Sequence, residues 1–341
     1  MSFVNNCAII DSHVYLPEKI VTNEELCKKI DSTDEWIRRR MGVTERRYGN
    51  SVETVVYMAS HAAAPLVVNP SFTESSSRAI IVSSVTQDTI TPSTASFVCE
   101  TLGLQNVAAF DMQAACAGFP YGLELARSLI VSGSFDSIIV VASDKLSDWT
   151  DPFDRSVPLI GDGAGAVLVS KSDVSKISKA FLGSDSKYTS LISTDSTFST
   201  IRNRNNKYST SENTTNNENV SRNKLPTIIM DGPSVFRWTL SQMPSIIDKI
   251  LSKAGYEAKE IDVFIPHQAN IRIIEALVKN CGFRDDVIVA DSIRYYGNTL
   301  SASIPIAFSE LSKSGVLKKN DKVLLAGFGS GMIFGGQVVT I

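Results

Sequence analysis

An alternation of short apolar runs with helix-period stretches, carried through the sequence twice, limits most strongly what this chain can become. RAIIVSS (78–84), VAAFDM (107–112) and SIIVVAS (137–143) read as strands, with helical stretches at ASFVCETLG (95–103) and after Cys116. The second pass brings VFRWTLSQMPSIIDKILSKAG (235–255), IDVFIPHQ (261–268), IRIIEALVKNCG (271–282) and KVLLAGFG (322–329). Strands alternating with helices at this spacing indicate a layered α/β fold, and the repetition points to a duplicated unit. GDGAG (161–165) precedes the apolar AVLVS (166–170), and GFGSG (327–331) precedes the last apolar strand, so each half is expected to close on a glycine-rich turn feeding a strand. Because the glycines of GDGAG lead into a strand and not a helix N-terminus, the geometry of a phosphate cradle is missing.

A length of 341 residues exceeds what one core usually organises, which fits two fused halves. The halves are expected at 1–175 and 226–341, joined by a connecting segment at 176–225. Within that segment, RNRNNKYSTSENTTNNENVSRN (202–223) has Val220 as its one aliphatic residue and cannot bury a face, so it reads as a flexible insertion. With 43% hydrophobic and 20% charged residues the chain is globular in composition, and a net charge of −3 gives no general basic field for nucleic acid. No apolar run is long enough to span a bilayer. The first residues lack the basic region of a secretory signal, and the five cysteines are odd in number and scattered, so a cytoplasmic location is expected. No CxxC or HExxH spacing supports a metal site.

Three residues stand out for chemistry. Cys116 follows the strand VAAFDM and precedes apolar positions Phe119, Leu123, Ala126 and Ile130, a helical spacing that puts the thiol at a helix start. Unpaired N–H groups and the helix dipole there favour a thiolate, although a buried structural cysteine is the commoner fate of this residue. His267 ends the strand IDVFIP, where a satisfied histidine is the ordinary reading, and the helix that follows carries Glu275 and Lys279 as an expected i,i+4 pair. Asn298 lies in a Gly-Asn turn before another helix, a position that also suits a plain turn or cap residue.

Together, AACAGF (114–119), PHQANIRI (266–273) and GNTLSASIP (297–305) resemble the three active-site signatures of β-ketoacyl-acyl carrier protein synthase III, in order and separation. DEWIRRRMGVTERR (34–47), DPFDR (151–155) and GDGAGA (161–166) resemble its secondary signatures. The resemblance implies a thiolase-like duplicated five-layer αβαβα fold. It also implies an acyltransferase that performs an acyl-CoA-primed decarboxylative condensation with malonyl-acyl carrier protein, initiating type II fatty acid synthesis. By that resemblance Cys116 is the acyl-carrying nucleophile, and His267 with Asn298 stabilises the enolate. The backbone N–H groups of Cys116 and Ser330 would form the oxyanion hole, Ser330 standing where a glycine is usual. Ser32, Trp36, Arg40, Arg155 and Asn270 would line the coenzyme A and pantetheine tunnel.

Arg237, Arg272 and Lys279 would receive the acidic carrier protein, an ordinary solvated face being the alternative, and Asn280 stands where a second basic residue is usual. Thr91 replaces a pocket-closing phenylalanine, and Pro233 an asparagine. Acyl-CoA and malonyl-acyl carrier protein are substrates, so no cofactor is implied. A homodimer is, with the loop from Thr86 to Ser93 reaching toward the partner. The substitutions, the insertion and the GMIFGG end (331–336) leave open a specialised pathway, of polyketide, quinolone or acyl-transfer type, with a longer, branched or aryl primer. Two other classes fit less well: a papain-like hydrolase would need a C-G-x-C-W context, and a noncatalytic carrier-binding subunit need not keep all three polar residues.

Overall fold

The computed structural model describes residues 6–197 and 226–341, so the 202–223 insertion lies outside the described residues. Two five-stranded sheets form the frame. The first comprises β1 (Asn6–Tyr15), β2 (Arg78–Ser83), β3 (Ala108–Met112), β4 (Ser137–Lys145) and β5 (Asp162–Ser172), in the order β1-β5-β4-β2-β3. The second comprises β6 (Phe181–Ser184), β7 (Val263–Pro266), β8 (Ile288–Val289), β9 (Lys322–Gly329) and β10 (Ile333–Thr340), in the order β6-β10-β9-β7-β8. Matching β1 to β6 and so on through β5 to β10 makes the two orders identical. Pairing direction agrees too: β4 and β9 are parallel to β2 and β7 but antiparallel to β5 and β10.

The apolar runs alternate between two cores because strand side chains alternate between faces. Ile81, Ile138, Val140 and Val167 face a central cluster, while Ile80, Val82, Ile139 and Leu168 face an outer one. Helices α1 (Val55–Val67) and α2 (Thr94–Thr101) cover the outside of the first sheet, and α4 (Gly232–Ala254) and α5 (Ile271–Asn280) the outside of the second. Between the sheets lie α3 (Gly118–Val131) and α6 (Ser303–Lys313), one from each half, whose Phe119, Leu123, Ile304 and Phe308 share the central cluster. The result is five αβαβα layers.

Two expectations change. The segment expected to connect the halves supplies β6, which pairs with β10 as the edge of the second sheet. Gly161 of GDGAG alone precedes β5, and Gly163 and Gly165 sit within it instead of in a turn before it. They are there for space: a Cβ on Gly165 would stand 2.8 Å from Ile306 N and 2.9 Å from the Pro305 carbonyl carbon. A bare strand lets α6 cross that closely.

Candidate active site

The first strand-to-helix turn holds the cysteine. From β3 the chain enters a short 3-10 turn, Ala115–Ala117, in which Ala115 takes a left-handed φ of 48°, and α3 follows at once. Cys116 is buried, and the N–H groups of Cys116 and Ser330 both reach its sulfur. Burial pushes the thiol up to about 12, with the Asp144 carboxylate adding to the rise and the two N–H groups opposing it. The expectation that the helix start favours a resting thiolate is therefore not met. A helix end contributes at most about 2 kcal/mol, which desolvation exceeds here.

β9 supplies the opposite wall. Gly329 leaves room for the thiol, since a Cβ there would lie 2.8 Å from Cys116 Cβ and 2.9 Å from Sγ. Ser330, next in the chain, donates its hydroxyl to Ile192 O at 2.7 Å, which pins the loop while its backbone N–H faces the sulfur. Nothing in the sequence signalled that bond.

His267 follows β7 and is buried, with its ring edge against Phe328 at 5.5 Å between centroids. Its Nδ1 lies 2.8 Å from Ser303 Oγ, and Gln268 N donates to the same oxygen. Ser303 Oγ thus accepts from the backbone and pairs with Nδ1, the donor of that pair depending on the ring tautomer, while Nε2 is left to face the site. Burial lowers His267 to about 3, so the ring is neutral at physiological pH. Sequence singled out the histidine but not Ser303, because a serine at a helix start reads as a cap.

Asn298 completes the set. Its backbone pairs with the strand end at Ile160, through Asn298 N to Leu159 O at 2.7 Å and Gly161 N to Asn298 O at 3.1 Å. Its Oδ1 accepts from Leu300 N at 2.9 Å, which leaves Nδ2 as a free donor. Leu300 and Ile160 belong to the same small cluster as Cys116. The Cys116 turn and the Asn298 turn thus meet through Ile160 and Leu300, while His267 follows β7 next to Phe328 of β9, the strand whose Gly329 abuts Cys116.

Beyond this centre, a cavity of about 340 Å³ is lined by Ser32, Trp36 and Arg155, together with Phe153, which the sequence reading missed. Trp36 and Phe153 are both exposed, and Ser32 Oγ is buried without a hydrogen-bond partner among the described residues. Arg40 is exposed, and Asn270 bonds its carbonyl at 3.2 Å while capping α5 through Arg272 N. Most of the Asn270 amide is therefore engaged in structure. Arg237, Arg272 and Lys279 are exposed on α4 and α5, and Arg272 stacks on Phe236 at 5.3 Å. Among the described residues none of the three forms an ion pair, including the expected one between Glu275 and Lys279. Pro233 falls in the first turn of α4, where its missing N–H costs nothing. Thr91 is exposed beside the exposed Ile90.

Residues 110–186 match the family model for 3-oxoacyl-[acyl-carrier-protein (ACP)] synthase III, and residues 251–341 match the model for its C-terminal part. The β-ketoacyl-[acyl-carrier-protein] synthase III of Streptomyces glaucescens is 38% identical over 328 residues, spanning 96% of this chain and 94% of that one. The crystal structure of 3-oxoacyl-[acyl-carrier-protein] synthase III from Aquifex aeolicus VF5 is 34% identical with a TM-score of 0.85, covering 98% of this chain and 100% of its own. The priming β-ketosynthase of the R1128 polyketide biosynthetic pathway is 32% identical with a TM-score of 0.88, covering 98% and 96%. The chain belongs to the β-ketoacyl-acyl carrier protein synthase III family of condensing acyltransferases.

Proposed function

We propose that the chain primes type II fatty acid synthesis by condensing an acyl group from acyl-CoA with malonyl-acyl carrier protein, through an acyl-Cys116 intermediate. One observation carries this reading: a buried sulfur reached by two backbone N–H groups, with the Asn298 turn packed in the same cluster and the bonds at His267 Nδ1 and Asn298 Oδ1 leaving Nε2 and Nδ2 available as donors. The sulfur attacks the thioester carbonyl, the N–H groups of Cys116 and Ser330 hold the oxyanion, and coenzyme A leaves with the thiol proton. The malonyl thioester oxygen then accepts from His267 and Asn298. Carbon dioxide departs and leaves its bonding pair as an enolate, whose carbon attacks the acyl carbonyl and expels the Cys116 sulfur. Neutral donors suit this step because they stabilise the enolate oxygen without quenching the carbanion.

The cavity at Trp36, Phe153 and Arg155 is suited to the nucleotide end of coenzyme A, and the exposed cations on α4 and α5 to an acidic carrier protein. β3, an edge strand with one unpaired side, favours a homodimer joined through the first sheets. Among the described residues no helix is long and apolar enough to cross a membrane, and five free cysteines suit a reducing cytoplasm. Incubation with a panel of acyl-CoAs followed by intact-protein mass is the direct test. An acyl mass on wild type, released on adding malonyl-acyl carrier protein, is expected; no acyl adduct from any donor defeats the reading.

A specialised primer is the second reading, favoured by the small Thr91 at an exposed loop and by the likeness to a polyketide priming ketosynthase. Each methylene in such a pocket is worth about 1–3 kcal/mol. On this reading wild type prefers a medium, branched or aryl primer over acetyl, and Thr91→Phe shifts the profile toward short chains. An acetyl-preferring wild type, or an unchanged profile in the variant, removes it.

A further inference from the structure

Asp144, the penultimate residue of β4, is fully buried and has no cation as partner among the described residues. Its carboxylate instead collects six donors from two separate loops. Oδ1 accepts from Val85 N at 2.7 Å, Thr86 N at 3.3 Å, Thr86 Oγ1 at 3.1 Å and Ser84 Oγ at 3.2 Å. Oδ2 accepts from Ser301 N at 3.1 Å and from the Ser301 hydroxyl. Directions at the first loop are fixed by its other bonds. Ser84 Oγ accepts from Thr86 N and Thr86 Oγ1 accepts from Lys145 N, so both hydroxyl hydrogens are free for the carboxylate. Burial pushes the Asp144 carboxyl above the usual carboxylate range, and these converging bonds oppose that rise, while the Ser301 hydroxyl also lies 3.3 Å from Ser83 O.

Ser301 has a place in the duplication. After its third strand, and in the second half after a further short helix at Ile293–Tyr296, each half enters a 3-10 turn whose first residue is left-handed, Ala115 or Leu300, both at φ 48°, and then a helix with proline third, Pro120 or Pro305. By that correspondence Ser301 is the counterpart of Cys116. A left-handed conformation costs a non-glycine residue roughly 1–2 kcal/mol, so Leu300 needs fixed neighbours. Leu300 N in turn sets the Asn298 amide. The other loop is held at Thr86 by Asp144 and at Asp88 by Val55 N and Val56 N, and it leads to Thr91.

We propose that Asp144 is a positioning residue that clamps the Asn298 turn to the loop of Ser84–Ser93, so that the malonyl donor and the wall of the acyl pocket hold their places together. This inference rests on the roles proposed above for Asn298 and Thr91. It predicts that a change at either loop is felt in malonyl decarboxylation, although the Ser301 and Thr86 side chains are both buried and spent on Asp144.

The test uses Ser301→Ala, Thr86→Val and their double variant, all near-isosteric, with Asp144→Asn as the stronger perturbation. Three quantities are read: transfer of the acyl group to Cys116, and kcat and KM for decarboxylation of malonyl-acyl carrier protein. Ser301→Ala and Thr86→Val are each expected to lower the decarboxylation kcat about tenfold, the scale of one hydrogen bond to a charged group, with KM and acyl transfer near wild type. Their effects should be less than additive, because both act through one carboxylate. Asp144→Asn should also let Cys116 react with iodoacetamide at lower pH, since a negative charge beside the thiol is gone; Ser301→Ala should not.

Wild-type decarboxylation in Ser301→Ala and Asp144→Asn overturns the proposal. So does an equal fall in acyl transfer and decarboxylation, which makes the network ordinary support for the fold, and so does full additivity in the double variant. If Asn298→Ala decarboxylates normally, the functional reading fails first and this inference with it.

Discussion

The two halves share strand order, pairing direction and the left-handed turn before the central helix, yet they use the same positions differently. In the first half the position after the second strand is Ser84, and its hydroxyl serves the internal carboxylate Asp144. In the second half that position is His267, whose Nδ1 is satisfied by Ser303 and whose Nε2 is left to act. The place after the left-handed residue holds Cys116 in one half and Ser301 in the other, and the residue three before it is Gln113 in one and Asn298 in the other. Duplication supplied the geometry, and the choice of which polar groups stay unsatisfied supplied the chemistry. An elbow whose donors are already occupied is scaffold; one whose donors are free is a site.

The largest effects should separate the halves by reaction step. Cys116→Ala is expected to abolish transfer of radiolabel from acyl-CoA to the protein, while His267→Ala and Asn298→Ala still accept label but decarboxylate malonyl thioester about 10²–10³-fold more slowly. Label on Cys116→Ala protein, or normal decarboxylation by both other variants, breaks the division of labour. Glycine variants sharpen it. Gly165→Ala meets the backbone of α6 and should cost about 1–3 kcal/mol of stability, measured by denaturant unfolding, with acyl transfer retained. Gly329→Ala meets Cys116 itself and should slow acyl transfer on the order of a hundredfold. Equal activity in the two variants contradicts the assignment of one crossing to structure and the other to the site.

The most gradual effect is in pH. His267 is held near 3 in the fold against about 6.5 unfolded, so below pH 6.5 the unfolded chain takes up a proton that the native ring refuses. Its contribution to stability is therefore complete above pH 6.5 and shrinks as pH falls toward 3, by at most about 1.4 kcal/mol per pH unit. Melting temperatures of wild type and His267→Gln between pH 7.5 and 4.5 should converge as the pH drops, because the variant lacks that term. Parallel curves mean the ring is charged in the native state.

Much of this was legible in the chain. Runs such as IIVVAS have no polar alternation because both faces of β4 are covered, and that signature survives in one dimension. The three signature strings located Cys116, His267 and Asn298 before any coordinates. Other features left no local trace. PheLeuGlySer at 181–184 is too short and too glycine-softened to announce β6, which exists because β10 offers it an edge. GDGAG looked like a turn because the reason for its glycines, the passage of α6, is contributed by residues about 140 positions later. Asp144, Ser301 and Ser303 are ordinary residue types whose importance lies in contacts between strand ends, as with the 157-residue separation of Asp144 and Ser301.

The central layer has a consequence for how the molecule is made. Helix α3 buries Phe119 and Leu123 against a cluster that is completed only by Ile304, Ile306 and Phe308 of α6. A ribosome adding roughly 5–20 residues per second needs on the order of 10–30 s to travel from one helix to the other. For that interval the first half stands as a three-layer body with its inner helix face bare. Until the second half arrives that face has no partner, and the first half expressed alone is expected to expose it and to associate through it.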